Sequence, residues 1–253
     1  MNIIVITGAS SGLGKEFALQ LNKMHYVADE VWLIARRSDR LEALSKELSY
    51  PCERLTIDLS KEEELNQYKE LLEKKNPVIQ ILINCAGFGY VGGFQTISYQ
   101  QQSSMIDLNC RALTQMTYLS LPYMKENSRI LQLASSAAFM PQPGFAVYAA
   151  SKAYVLSFSR AITEELRKQK IYVTTVCPGP IRTEFFELAE QYGSSFTFKK
   201  YTMVEAPQVV KAALRASKTK KELSVYSIPM KCFFVISKIL PHKLLLILLR
   251  LMK

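Results

Sequence analysis

Tyr148 and Lys152 stand four residues apart in the run YAASK, at the start of a stretch with helical periodicity. One helical turn brings positions i and i+4 onto one face, with Cβ atoms about 5–6 Å apart. An ammonium at that separation favours the phenolate and lowers a reference pKa of about 10. The pair reads as a phenol able to exchange a proton near neutrality. The same spacing is also common on solvated helix surfaces, so the surrounding elements must decide.

The chain opens with Asn2–Thr7 (NIIVIT), a β-branched apolar run that passes into GASSGLG. A helical pattern over Gly12–Met24 follows, with Leu13, Phe17, Ala18 and Leu21 apolar. This is strand, glycine turn, helix. Gly8, Gly12 and Gly14 allow a sharp turn and close backbone approach, and the helix start aims N–H groups and a positive dipole at an anion. A P-loop is excluded, because five residues separate Gly8 from Gly14 where that motif has four, and Glu16 follows Lys15 where it has Ser or Thr. The spacing does not match G-x-G-x-x-G either. Glu30–Ala35 (EVWLIA) predicts the second strand, followed by Arg36, Arg37 and a helix from about Arg40. An acid at this strand end would hold the ribose 2′-hydroxyl of NAD, whereas arginine accommodates the 2′-phosphate of NADP. Ala35, Arg36 and Arg37 point to NADP(H).

Arg54–Asp58 fits a third strand, after which Ser60 is expected to cap an acidic helix with Glu63 in the reciprocal capping-box position. Ile79–Asn84 is the fourth strand and ends in Asn84, Cys85, Ala86 and Gly87. Residues 101–124 predict one long helix, interrupted only by Pro122 and containing Asn109. Arg129–Ala134 is the fifth strand and leads to Ser135 and Ser136. The helix of Tyr148 is expected over Val147–Lys168, and Tyr172–Cys177, a sixth strand, ends in Pro178 and Gly179. Alternating strands and helices predict an α/β fold, a Rossmann-like doubly wound parallel sheet in one domain. The unusual turns all follow strand carboxyl ends, where such sheets hold ligands.

Composition agrees with one globular unit: 49% hydrophobic and 21% charged residues over 253, with no linker or repeat. Five scattered cysteines without a CxxC, and only two histidines, predict reduced thiols and no metal site. The apolar strand at the N-terminus lacks the features of a signal peptide, so a cytoplasmic protein is expected. Charge is unevenly placed. Residues 1–206 carry 22 Lys/Arg against 21 Asp/Glu, a net of +1, and residues 207–253 carry 10 against 1, a net of +9. No groove-filling motif accompanies this charge, so nucleic acid is not expected as a partner.

Thr7-Gly8-x3-Gly12-x-Gly14, Asn84-x-Ala86-Gly87, Asn109, a serine thirteen residues before Tyr148, Tyr148-x3-Lys152 and Pro178-Gly179 occur in a distinctive order. In this the chain closely resembles the classical branch of the short-chain dehydrogenase/reductase family, over roughly residues 1–183. The resemblance implies a catalytic tetrad of Asn109, Ser135, Tyr148 and Lys152. Ser135 is in register, although Ala138 departs from the family's usual glycine. It implies cofactor contacts at Gly8, Ser10, Ser11, Gly12, Leu13, Gly14, Arg36, Arg37, Asp58, Leu59, Asn84, Ala86, Gly87, Pro178, Gly179, Ile181 and Thr183, as well as at Tyr148 and Lys152. Asp58 would lie near the adenine, Asn84 would steady the central sheet, and Ile181 and Thr183 would meet the nicotinamide side. Tyr148 would then exchange a proton with the substrate oxygen while Ser135 holds it. Lys152 would acidify Tyr148 and bond the nicotinamide ribose, and Asn109 would support a water linking Lys152 to solvent. A homodimer or homotetramer is expected.

Residues 183–203 lie where the family has its substrate loop. Phe185, Phe186, Tyr192, Phe196, Phe198 and Tyr201, with Phe88, Tyr90, Phe139 and Met140, either wall an apolar pocket or pack as an ordinary lid. The catalytic domain is expected over 1–228, with 229–253 a basic, apolar extension. In Lys231–Lys253, Pro241, His242 and Lys243 break the apolar run, which is too short to span a membrane. It fits an interfacial helix pair on a membrane surface, or burial against the body or a second subunit. The leading activity is an NADP(H)-dependent interconversion of a ketone and a secondary alcohol on a hydrophobic small molecule of steroid, bile acid or acyl type. The alternatives are a 3-oxoacyl thioester reductase and a non-catalytic NADP-binding sensor or scaffold. A complete tetrad speaks against the last, which has no need of Tyr148.

Overall fold

The computed structural model describes residues 1–193 and 203–251. Its strands are β1 (Asn2–Thr7), β2 (Glu30–Ala35), β3 (Cys52–Thr56), β4 (Val78–Asn84), β5 (Met124–Leu133), β6 (Tyr172–Val176) and β7 (Leu223–Ser224). They form one parallel sheet in the order β3-β2-β1-β4-β5-β6-β7. Strands covered on both faces must be apolar at nearly every position. In β1, Ile4 and Ile6 enter one core layer and Ile3 and Val5 the other. The first layer packs under α1 (Gly12–Lys23), through Phe17 and Leu21, and under α8 (Ala206–Lys218), through Val209 and Val210. The second packs under α3 (Glu62–Lys75), through Tyr68 and Leu72, and under α6 (Ala146–Leu166), through Ile162. Also in the fold are α2 (Ser38–Glu47), α4 (Tyr99–Ile106), α5 (Leu113–Ser120), α7 (Glu184–Ala189), α9 (Ile228–Ile239) and α10 (His242–Leu251). This is the expected doubly wound α/β sheet, with its order reversing between β1 and β4.

Three local expectations change. The capping box at Ser60 does not form: Lys61 occupies the cap of α3 without a side-chain bond, and Ser60 Oγ donates to Asp58 Oδ1 at 2.7 Å. Glu64, not Glu63, accepts the Asp58 N–H at 2.7 Å. The aspartate turn captures the hydroxyl that a cap would have used. The long helix is really α4, a π-helical segment at Asp107–Ala112, and α5, which ends before Pro122. Strand β5 begins at Met124, not Arg129. Asn127 adopts φ +70°, and pairing jumps from Ile79–Met124 to Ile81–Arg129. The irregularity is held by Ser128 Oγ, which donates to the Ile79 carbonyl at 2.7 Å.

The β1 and β4 ends are tied directly. Thr7 Oγ1 accepts from the Cys85 and Ala86 N–H groups, each at 3.0 Å. Cys85 N–H also reaches the Ile83 carbonyl at 3.1 Å, whereas Thr7 is the partner recorded for Ala86 N–H. Thr7→Val therefore should cost about 1–3 kcal/mol, the penalty for stranding a poorly solvated donor. Thr7→Ser should retain most of the stability. Urea unfolding of the two variants checks this, and a loss in Thr7→Ser without one in Thr7→Val would mean that the methyl group, not the hydroxyl, matters.

Candidate active site

The carboxyl ends of the strands enclose a cleft of about 740 Å³. It opens where β1 and β4 diverge, as the topology requires. The glycine turn forms its floor. Gly8 has φ +67°, and a Cβ there would lie 2.9 Å from Ala86 N, while one on Gly14 would overlap the Gly8 carbonyl oxygen. Only glycine lets β1, β4 and the start of α1 converge so closely. Every expected tetrad and cofactor residue lines this cleft except Asn84 and Asn109.

Asn84 is 2% exposed, and its Nδ2 donates to Thr117 Oγ1 and Gln132 Oε1, both at 3.0 Å. Its Nδ2 ties β4 to α5 and β5, and Asn84 does not line the cleft. Asn109 lies in the π-helical segment, fully buried. Its Oδ1 accepts from Phe88 N–H at 3.1 Å, and its Nδ2 donates to the Phe88 carbonyl at 2.9 Å and to Ser151 Oγ at 3.0 Å. The extra residue per turn of a π segment re-aims this side chain, a common device near functional sites.

Tyr148 and Lys152 project from the first turns of α6, 7% and 5% exposed. The Tyr148 ring stacks on Phe145 with centroids 4.2 Å apart and tilts against Phe185 at 5.4 Å. A Cβ on Gly89 would overlap its Cδ2, so a glycine there leaves room for the ring. Of the two hydroxyls it is that of Ser135 that acts on the phenol, and its Oγ also accepts from Ala137 N–H at 3.1 Å. Lys152 Nζ lies 5.7 Å from the Tyr148 ring centroid and donates to the Leu133 carbonyl at 2.7 Å. Burial pushes the Tyr148 phenol up to about 12, with Ser135 pulling the other way. Burial also pushes the Lys152 ammonium down to about 8. The net shift of the Tyr148 phenol is upward because desolvation dominates, while the Lys152 ammonium is directed at a carbonyl.

Arg37 reaches back over the glycine turn, with Nη2 2.8 Å from Ser11 Oγ and 3.2 Å from Ser10 Oγ. Its Nη1 pairs with Glu184 Oε2 at 3.0 Å, and Arg40 pairs with the same carboxylate. Arg36 is looser, 3.8 Å from Asp58 and 67% exposed. Sequence reading missed Phe145, Gln142, Arg40 and Glu184, which all line the cleft. Phe145 stands three residues before Tyr148, at the cap of α6. Arg40 and Glu184 are 144 residues apart and had no local signal.

The aromatic expectation is divided. Phe88, Tyr90 and Tyr192 form a chain of edge contacts at 5.5 and 5.8 Å, and α7 is joined to Val91 N–H through the Ala189 carbonyl at 2.6 Å. Phe139 and Met140 do not wall the cleft. Phe139 packs on Phe233 and Phe234 of α9, and Met140 borders a separate groove of about 460 Å³ beneath α10. Phe139 ends the Ser136–Phe139 turn and Met140 follows it, and the turn carries both away from the strand end. Phe196, Phe198 and Tyr201 lie outside the described residues, as does the side chain of Phe186.

The profile of the family described as short chain dehydrogenase matches residues 2–192. The chain belongs to this family. Hydroxysteroid dehydrogenase-like protein 1 of Gallus gallus is 32% identical over 212 residues, covering 75% of this chain and 62% of that protein. A short-chain dehydrogenase from Sphingobium yanoikuyae in complex with NADPH superposes with a TM-score of 0.78 at 29% identity, covering 89% of this chain and 87% of that one. The 3-ketoacyl-(acyl-carrier-protein) reductase of Brucella melitensis complexed with NADH gives 0.76 at 25% identity, covering 90% and 96%. Short-chain dehydrogenases are oxidoreductases that use nicotinamide cofactors, and the positive-φ glycine floor beside the Arg37 guanidinium fits such an anionic group.

The lysine gives a test that needs no substrate. Between pH 8 and its ordinary value of 10.5, Lys152 is protonated in the unfolded chain and neutral in the folded one. Unfolding then takes up a proton, so folded stability rises with pH. Relative to Lys152→Met, the wild-type protein should gain roughly 1 kcal/mol per pH unit between pH 8 and 10 in urea unfolding. A difference independent of pH would mean that Lys152 titrates as an exposed lysine does.

Proposed function

We propose that the protein is an NADP(H)-dependent oxidoreductase interconverting a ketone and a secondary alcohol on a hydrophobic substrate. The observation that carries this reading is the buried Tyr148 phenol, acted on by Ser135 and beside Lys152, in a cleft rimmed by the glycine turn and Arg37. The nicotinamide cofactor supplies the hydride in reduction and accepts it in oxidation. Tyr148 gives its proton to the ketone oxygen, and Ser135 holds that oxygen as negative charge develops. A phenol held at about 12 is protonated at neutral pH, so it carries the proton that carbonyl reduction consumes. Lys152, at about 8, is still largely charged there and stabilises the phenolate left behind. Asn109 acts by position: it clamps the Phe88 backbone on both sides and so holds the turn against Lys152.

The preference for the 2′-phosphate rests on Arg37, with Arg36 and Arg40 adding positive charge. The Phe145, Phe185 and Phe88 side chains around the cleft support a hydrophobic substrate, as do the names of the chicken and Brucella proteins. A 3-oxoacyl thioester is a second reading, supported by the apolar groove that meets the cleft at Gln142. Activity on acyl thioesters but not on steroid ketones would select it. A homo-oligomer is supported by the exposure of Ile106 on α4, Tyr118 on α5 and Tyr154 on α6.

Tyr148→Phe should keep NADPH binding, read by fluorescence, and lose at least about 100-fold in turnover on a ketone panel. Unchanged turnover would sink the mechanism. Arg37→Ala should weaken NADPH by about 10- to 100-fold, the worth of a charge-assisted contact, and leave NADH nearly unaffected. Glu184→Gln should act oppositely, tightening NADPH by about 2- to 5-fold because it frees Arg37 and Arg40 from a half-exposed ion pair. Equal effects on both cofactors would remove the NADP assignment.

A further inference from the structure

Helices α9 and α10 are each two-sided. Along α9, Met230 and Ser237 are buried and Phe234 packs on Phe139, which fastens one face to the body. A Cβ on Gly179, at the cleft wall, would come within 2.8 Å of Met230, so this packing reaches the site. The opposite face leaves Ile228, Val235 and Ile239 between 51% and 76% exposed. Along α10, Leu245 is buried while Leu244, Ile247 and Leu248 face outward. Of the 16 exposed large hydrophobic residues described in the chain, seven lie on these two helices. Such clustering marks an interaction surface, whereas single exposed apolar residues do not.

The charges on the pair follow the same geometry. Lys231 and Lys238 are seven residues apart on α9, and Lys243 and Arg250 seven apart on α10. Seven residues are close to two full turns, so each pair forms a basic edge beside its apolar stripe. No acidic residue occurs from Leu223 to Lys253, and among the described residues none of these four cations makes an ion pair. A second copy of the chain would be a poor occupant. A two-fold contact lays the same patch against itself, bringing like charges together with no carboxylate between them. An anionic lipid surface meets both features at once: acyl chains take the stripes, and headgroups take the cations. The helices have 12 and 10 residues, and among the described residues no helix is long and apolar enough to cross a membrane.

We propose that α9 and α10 form an in-plane docking surface for an anionic phospholipid bilayer. Ile228, Val235, Ile239, Leu244, Ile247 and Leu248 enter the acyl boundary, and Lys231, Lys238, Lys243 and Arg250 contact headgroups. Docking of this kind brings the bilayer to the groove under α10, which Leu246 and Met140 line and which meets the catalytic cleft at Gln142. Delivery of a lipophilic ketone along that route rests on the activity proposed above, whereas the docking does not.

Vesicle co-sedimentation of the full-length protein tests the surface without any turnover measurement. Binding is expected to vesicles of phosphatidylcholine with phosphatidylglycerol, to weaken as salt rises, and to be slight with phosphatidylcholine alone. Each cation is worth roughly fivefold in partitioning, so changing all four to Gln should reduce binding at least about 30-fold. The triple variant Ile228→Ser, Val235→Ser, Ile239→Ser should also release the protein while keeping its thermal unfolding and NADPH binding, since these side chains face away from the core. Failure of the wild-type protein to bind anionic vesicles at low salt would overturn the proposal. So would full binding by both variants. Loss of a dimer in the triple variant, without vesicle binding by wild type, would assign the surface to a second copy instead.

Discussion

The arrangement around the site depends on one buried charge. The Lys152 ammonium is nearly sealed from water, a position that requires polar atoms to replace the lost solvent. The Leu133 carbonyl supplies one such atom, and the face of the Tyr148 ring lies close by. This couples the end of β5 to the first turns of α6 and sets the height at which the phenol stands. Gly87 sits against the same ammonium, where a Cβ would lie 3.2 Å from Nζ and 2.9 Å from Asn109 Oδ1. The end of β4 can therefore approach only because that residue has no side chain. Asn109 then clamps the following residue, and its own position comes from the π-helical segment between α4 and α5.

On the other side of the cleft the organising contacts are ionic and more exposed. Arg37 binds the serines of the glycine turn and also Glu184 at the start of α7. The glycine turn and the start of α7 thus share one guanidinium. Ion pairs of this exposure are weak in water. The Lys152 contact, by contrast, is buried, where the same attraction is screened far less.

Much of this was legible in local sequence. β1, β2 and β4 are continuous apolar runs because both of their faces are covered, and their limits fall within a residue or two of those read from composition. The glycine turn was legible because Gly8 and Gly14 stand where a Cβ would overlap a neighbouring backbone. The failures have specific causes. Ser60 looked like a cap, but Asp58, two residues earlier, offered its hydroxyl a nearer acceptor. Residues 101–124 looked like one regular helix, since no helix-breaking residue interrupts them before Pro122.

What the sequence determined by itself is the order of strands and helices, the glycine geometry and the spacing of Tyr148 from Lys152. These depend on residues within a few positions of one another, where backbone sterics and periodicity act. Tertiary structure alone decided that Asn84 serves the sheet and not the cleft, that Phe139 and Met140 turn toward α9 and α10, and that Glu184 meets Arg37 and Arg40. It also decided the sign of the Tyr148 shift. Adjacency to Lys152 argued for a more acidic phenol, but how much water is removed depends on Phe145, Phe185 and Gly89 folding over the ring. Desolvation is a property of the whole enclosure, and no spacing along the chain encodes it.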